Sequence, residues 1–183
     1  GNSAYADWAR IDGGDELMKG MGAVACAGLI AAAGGIPVAA QDIVFDPGPS
    51  VTCMAQSDGD WAHCAGTSAN LCMQESLHGW TTVGMMNCLG AELDYWDRRL
   101  NIAYQKARSM ARQADLDAPE GVASQADALQ AMQRAWITFR DRQCAYMQSQ
   151  WGGGTGGGPV AVGCHMGETA EQTHFLETIG LGL

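Results

Sequence analysis

The chain has 183 residues, with 20 acidic against 10 basic side chains and a formal charge of −10. That balance argues against nucleic acid and anionic membranes as partners and suits a basic protein. Seven cysteines are too many to ignore, and their placement depends on how the N-terminal region is read.

Residues 1–17 precede a segment laid out as a secretory signal peptide and are set aside from the fold. Met18-Lys19 makes a short basic start, and Ala23 to Ile36 is a nearly uncharged run of small and apolar residues. Val38-Ala39-Ala40 then supplies the small residues of a cleavage site, so residues 18–40 are expected to be removed after Ala40. The apolar run spans 14 residues, short of the roughly 20 that a membrane-crossing helix needs, and no later stretch is long enough. Val24-Ala25-Cys26 has no apolar region ahead of it and is not read as a lipidation site. The protein is expected in the periplasm or secreted, without a membrane span.

Cleavage leaves 143 residues, one domain by size, enough to bury about 68 to 70% of the surface of the unfolded chain. Four acidic and two basic residues leave with the N-terminal segment, so the remainder keeps a formal charge of −8. Cys26 leaves too, and six cysteines remain: Cys53, Cys64, Cys72, Cys88, Cys144 and Cys164. An even number in an exported chain reads as three disulfides. Six cysteines allow 15 connectivities and sequence does not choose among them. Cys144 with Cys164 is the first expectation, with Cys53–Cys64 and Cys72–Cys88 after it.

Residues 41–52 contain Asp46-Pro47-Gly48-Pro49-Ser50 and are expected to be an extended lead-in with turns. The helical domain is placed at residues 53–178, opening with short helices pinned by disulfides, the best of them over Ser68 to Leu77. From Asn87, Leu89, Leu93, Trp96, Leu100, Ala103, Ala107 and Met110 recur at spacings of three and four, one apolar stripe of a helix reaching about Gln113. Glu92, Asp94, Asp97, Arg98 and Arg99 lie between as its charged positions. Asp115 to Gly121 is dense in turn formers, so the next helix returns antiparallel. Ser124 is its cap and Asp127 its first-turn acid. Leu129, Met132, Trp136, Phe139, Gln143 and Met147 form its stripe, and Gly152 to Pro159 stops it. A third, shorter helix is expected over Ala161 to about Thr178, with Val162, Met166, Thr169, Thr173 and Leu176 on one side. Residues 179–183 are a tail expected to fray.

The fold class is therefore all-α, a small disulfide-stapled domain built on a long antiparallel helical hairpin plus a third helix. Its expected core comprises Leu93, Trp96, Leu100, Tyr104, Leu129, Met132, Trp136 and Phe139, with both tryptophans as packing residues.

No arrangement of side chains has the layout of a catalytic centre. The glycine-rich stretch lacks the Gly-Lys-Ser/Thr and the preceding strand of a phosphate loop and reads as a flexible reversal between helices, with Trp151, Gly152, Gly153, Gly154 and Thr155 as a candidate contact surface. Asp115, Asp117 and Glu120 are the second candidate surface. Asp94, Asp97 and Asp141 read as solvated or paired with Arg98, Arg134 or Arg140 rather than as catalytic carboxylates. No Cys-x-x-Cys occurs, and His63, His78, His165 and His174 lack zinc-ligand spacing. No catalytic residue, metal ligand or cofactor site is assigned.

The series Cys88-x3-Glu92-x3-Trp96-Asp97-x2-Leu100-Asn101-x2-Tyr104, then Gln133-x2-Trp136-x2-Phe139-Arg140-Asp141-x2-Cys144, then the glycine loop, Cys164 and Thr169, resembles the LprI-like lysozyme inhibitor family of exported bacterial helical domains. The resemblance covers about Cys53 to Leu176. One departure is Gln172, where many relatives carry an arginine after the threonine, so an internal salt bridge is in doubt. The resemblance implies a non-enzymatic protein whose partner is a lysozyme, a class commonly basic and open to electrostatic steering by an acidic domain. The competing function class is a structural or interaction module of the envelope with another partner, and a cell-wall hydrolase is a distant third for want of a triad or metal motif.

Overall fold

The computed structural model describes residues 43–57 and 62–179. All of these lie in one compact unit, Ala39–Leu183; the upstream segment, the expected signal peptide with its expected cleavage point, and residues 180–183 of the tail lie outside the described residues. Among the described residues the secondary structure is helical: α1 Gly48–Gln56, a short 3-10 turn Ala62–Cys64, α2 Thr67–Glu75, α3 Thr82–Leu116, α4 Gln125–Ser149 and α5 Gly157–Thr178. The fold is all-α, with α3 and α4 as a long hairpin.

Three helix starts differ from the sequence reading, each for a local reason. The lead-in is not extended to residue 52: Pro47 and Pro49 sit at the start of α1, where the amides they lack would have had no helical acceptor. α3 begins at Thr82, five residues before Asn87, because the Thr81 hydroxyl accepts from the Gly84 amide at 3.0 Å and caps it. Gly84 is needed there, since a Cβ would stand 2.0 Å from the His78 carbonyl oxygen. α5 begins at Gly157 rather than Ala161, so the last glycines and Pro159 open a helix instead of ending the loop. Ser124 caps α4, accepting from the Asp127 amide at 3.1 Å.

Two apolar clusters line the axis. The first joins Met54, Cys64, Ala69, Cys72, Met73, Cys88, Trp96, Met166 and Ala170, with Leu93 packed on it. The second joins Leu100, Ala103, Ala107 and Leu176, with Tyr104, Leu129, Met132 and Trp136 against them. The most extensive helix contact is α3 with α5, and α4 lies across both. Phe139 does not join the core and is 58% exposed. The inward face of α4 carries Gln133, Arg140 and Cys144, and at about 100° per residue Phe139 falls to the side of it. On α3, Met110 is exposed and Ala111 buried, by the same one-residue rotation.

Disulfides join Cys53 to Cys64, Cys72 to Cys88 and Cys144 to Cys164, with Cα separations of 5.5, 5.7 and 5.5 Å. The first ties α1 to the 3-10 turn, the second ties α2 to α3, and the third ties α4 to α5.

Candidate functional site

The reversal between α4 and α5 is shaped by its glycines. Gly152 and Gly153 have φ of +54° and +84°, a region that disfavours side chains. The Gly154 amide donates to the Trp151 carbonyl at 2.8 Å, and the Gly157 amide to the Gly154 carbonyl at 3.0 Å. These turns fold the indole of Trp151 back over the chain: a Cβ on Gly156 would lie 2.2 Å from Trp151 Cζ3, and one on Gly157 would lie 3.4 Å from Trp151 Cβ. Glycine here supplies a bed for an aromatic ring as well as freedom to reverse. Trp151 keeps 49% of its surface exposed, next to exposed Thr155. The Cys144–Cys164 bond closes this loop, with a separation of 20 residues, and is worth about 3 kcal/mol by restricting the unfolded chain.

The second candidate surface is a different case. Asp115 is committed to the start of α4, where its carboxylate accepts from Ser124 Oγ at 2.7 Å and from the Gln125 and Ala126 amides at 2.6 and 3.1 Å. The Ser124 hydroxyl first, then the two amides, hold its carboxyl below the usual range. Asp115 is therefore a helix cap rather than a free contact group, and Asp117 and Glu120 remain exposed beside it. The two loops sit at opposite ends of α4, about 37 Å apart at 1.5 Å per residue, and do not form one surface.

Two charged side chains, Glu92 and Arg140, are buried between those ends. Glu92, read from sequence as a surface charge, is fully buried. Its carboxylate accepts from Ser50 Oγ (2.7 Å), the Gly66 amide (2.9 Å), the Ala69 amide (2.6 Å) and Trp96 Nε1 (3.1 Å). It thus caps α2 from α3 and fastens α1 alongside, satisfying donors that would otherwise be buried unpaired. The signal was present: Cys88, Glu92 and Trp96 recur every four residues, on one helix face.

Arg140 is the other, 4% exposed, with its guanidinium 4.9 Å from the centre of the Trp136 ring. Its Nε and a terminal nitrogen donate to Asp141 Oδ1 at 3.1 and 2.9 Å. Asp97 on α3 and His165 and Glu168 on α5 surround it. Burial pushes the Asp97 and Glu168 carboxyls up, with Asp94 and Glu171 adding and Arg140 opposing. Burial, then Arg140, pulls the His165 imidazole down, against Asp141 at 3.8 Å. Glu168 accepts from Gln143 Nε2, so these charges knit three helices together. Arg99 on α3 pairs with Glu177 on α5 through bonds of 2.7 and 2.9 Å. At Gln172 no salt bridge is needed: its Nε2 donates to Gln133 Oε1 at 2.9 Å in a buried contact between α5 and α4. Cys53, His63 and Cys64 lie close together, but both sulfurs are in a disulfide and offer no thiolate to a metal.

A family model described as lysozyme inhibitor LprI matches residues 72–176. A protein of Rhodobacter capsulatus, described as an uncharacterized 17.7 kDa protein in the puhA 5′ region, is 28% identical over 138 residues, covering 71% of this chain and 83% of its own length. No solved structure matches the chain.

Proposed function

Because the chain belongs to the lysozyme inhibitor LprI family, we propose that it is an exported binding protein that inhibits lysozyme, the enzyme that cuts the glycan strand of peptidoglycan, by occluding its substrate cleft. The segment from Trp151 to Pro159 makes the contact. The observation that carries this reading is Trp151, an aromatic ring left half-exposed and held against Gly156 by the backbone turns that precede it. A ring fixed before binding loses little freedom on binding, and tryptophan is among the residues that dominate interface energetics.

Export fits the three disulfides, and among the described residues no helix is long and apolar enough to cross a membrane. The formal charge of −8 that remains beyond Ala40 steers a basic partner toward the domain at low salt.

The test is lysozyme turnover in the presence of the oxidised protein at low salt, across the common lysozyme types. Inhibition is expected, and Trp151→Ala with Thr155→Ala should weaken it while leaving the melting temperature unchanged. Unchanged turnover with every lysozyme sinks the function; unchanged affinity in the double variant removes the loop.

A further inference from the structure

The Trp151 loop has an exposed apolar neighbour. In the turn between α2 and α3, Leu77 is 89% and Trp80 60% exposed, with Val83 also outward on the first turn of α3. The turn is anchored rather than loose: Gly79 presses on Met73, where a Cβ would stand 2.1 Å from the carbonyl oxygen, and the Thr81 amide donates to the His78 carbonyl at 3.1 Å. It lies at the same end of the bundle as Trp151, because Gly158, in the first turn of α5, is packed on Met86, in the second turn of α3.

The two segments also share a charge pattern. No Asp, Glu, Lys or Arg occurs from Ser76 to Ala91, nor from Gln143 to Gly167. The acids Asp94, Asp97, Asp141, Glu168 and Glu171 all begin beyond these stretches, farther down the helices. Apart from exposed Glu75, which closes α2 just before the turn, these two segments make one end of the described domain free of Asp, Glu, Lys and Arg and rich in aromatic rings, on an otherwise acidic body. Charged groups are costly to desolvate and are depleted at interface centres, where tryptophan, tyrosine and methionine are enriched.

We propose that Leu77, Trp80 and Val83 form, with Trp151, a single two-lobed docking surface for the glycan-binding cleft of a basic lysozyme. This rests on the inhibitor reading above and extends the contact to a second segment. A cleft built for neutral sugar rings complements indoles and glycine amides better than it complements carboxylates. The acids behind the neutral end supply attraction at a distance, so salt slows association more than it speeds dissociation.

The experiment uses the full chain, exported and oxidised, with binding to a basic lysozyme measured by surface plasmon resonance beside inhibition of cell lysis. Trp80→Ala and the strongly exposed Leu77→Ser are each expected to weaken binding about tenfold or more, as central interface anchors do, with melting unchanged. If Trp80→Ala perturbs folding, Leu77→Ser decides alone. Should Trp151→Ala weaken binding while both turn variants stay within about twofold, the second lobe is refuted and the inhibitor reading stands. Should the unaltered protein bind no lysozyme, the inhibitor reading fails and the docking surface with it. Turn-dependent dimerisation in sedimentation, or turn-dependent binding to phosphatidylglycerol vesicles without lysozyme binding, would assign the surface to another occupant and overturn the proposal.

Discussion

The two ends of the hairpin solve the problem of ending a helix in opposite ways. Where α3 passes to α4, side chains satisfy the exposed amides: Asp115 accepts from Ser124, Gln125 and Ala126, and Ser124 from Asp127. Where α4 passes to α5, the backbone does it, through glycines that turn the chain and make room for Trp151. Polar side chains turned inward to cap a helix are not available to a partner. A loop that caps itself with main-chain bonds leaves its one large side chain free, so exposed charge is a poorer guide to a contact surface here than exposed aromatic area.

The comparison can be broken most directly at the disulfide that holds the second end. Replacing Cys144 and Cys164 by serine should lower stability by about 3 kcal/mol, read by denaturant unfolding, and should weaken lysozyme inhibition. A loss of stability with inhibition intact would mean that the loop needs no clamp. Gly156→Val forces a side chain into the Trp151 ring, which lies 2.2 Å from the Cβ position. The ring must move, and lysozyme affinity should fall about tenfold while helix content by circular dichroism stays the same.

Effects at the first end should appear in stability alone. Asp115→Ala should speed hydrogen exchange at the Gln125 and Ala126 amides without altering lysozyme affinity. The folded Asp115 carboxyl lies below its unfolded value, so its contribution is present above the unfolded pKa and fades as pH falls through the folded one. The wild-type and Asp115→Ala proteins should therefore converge in stability in acid, a trend that equilibrium unfolding across pH would reveal. The smallest effect is expected from Asp117→Ala with Glu120→Ala, both exposed, which should change lysozyme affinity by no more than about twofold, through long-range steering alone.

Much of the frame was legible because it depends on local pattern. Ser124 three residues before Asp127 marks a helix start in any context, and the Trp96, Leu100, Ala103 and Ala107 spacing marks a buried stripe. What escaped depends on partners far away in sequence. Glu92 reads as a surface charge until the donors at Ser50, Gly66 and Ala69 are brought to it. Phe139 reads as core because hydropathy cannot see that Arg140, stacked on Trp136, and Cys144, bonded to Cys164, fix the rotation of α4. At the candidate site, the sequence pointed to Trp151 and its glycines but not to the ring lying on Gly156. Nothing in one dimension places the Leu77–Val83 turn at the same end of the bundle as that loop.

The three disulfides have one more property, which lies in their order along the chain. Their partners are 11, 16 and 20 residues apart, and no loop encloses or crosses another. A polypeptide entering an oxidising compartment N-terminus first, once freed of the segment that carries Cys26, would present Cys53 and Cys64, then Cys72 and Cys88, and only later Cys144 and Cys164. Each bond is therefore the one formed by joining the two most recently arrived free cysteines. Such a chain can be oxidised correctly as it emerges, with no need for an isomerase to undo a wrong pairing.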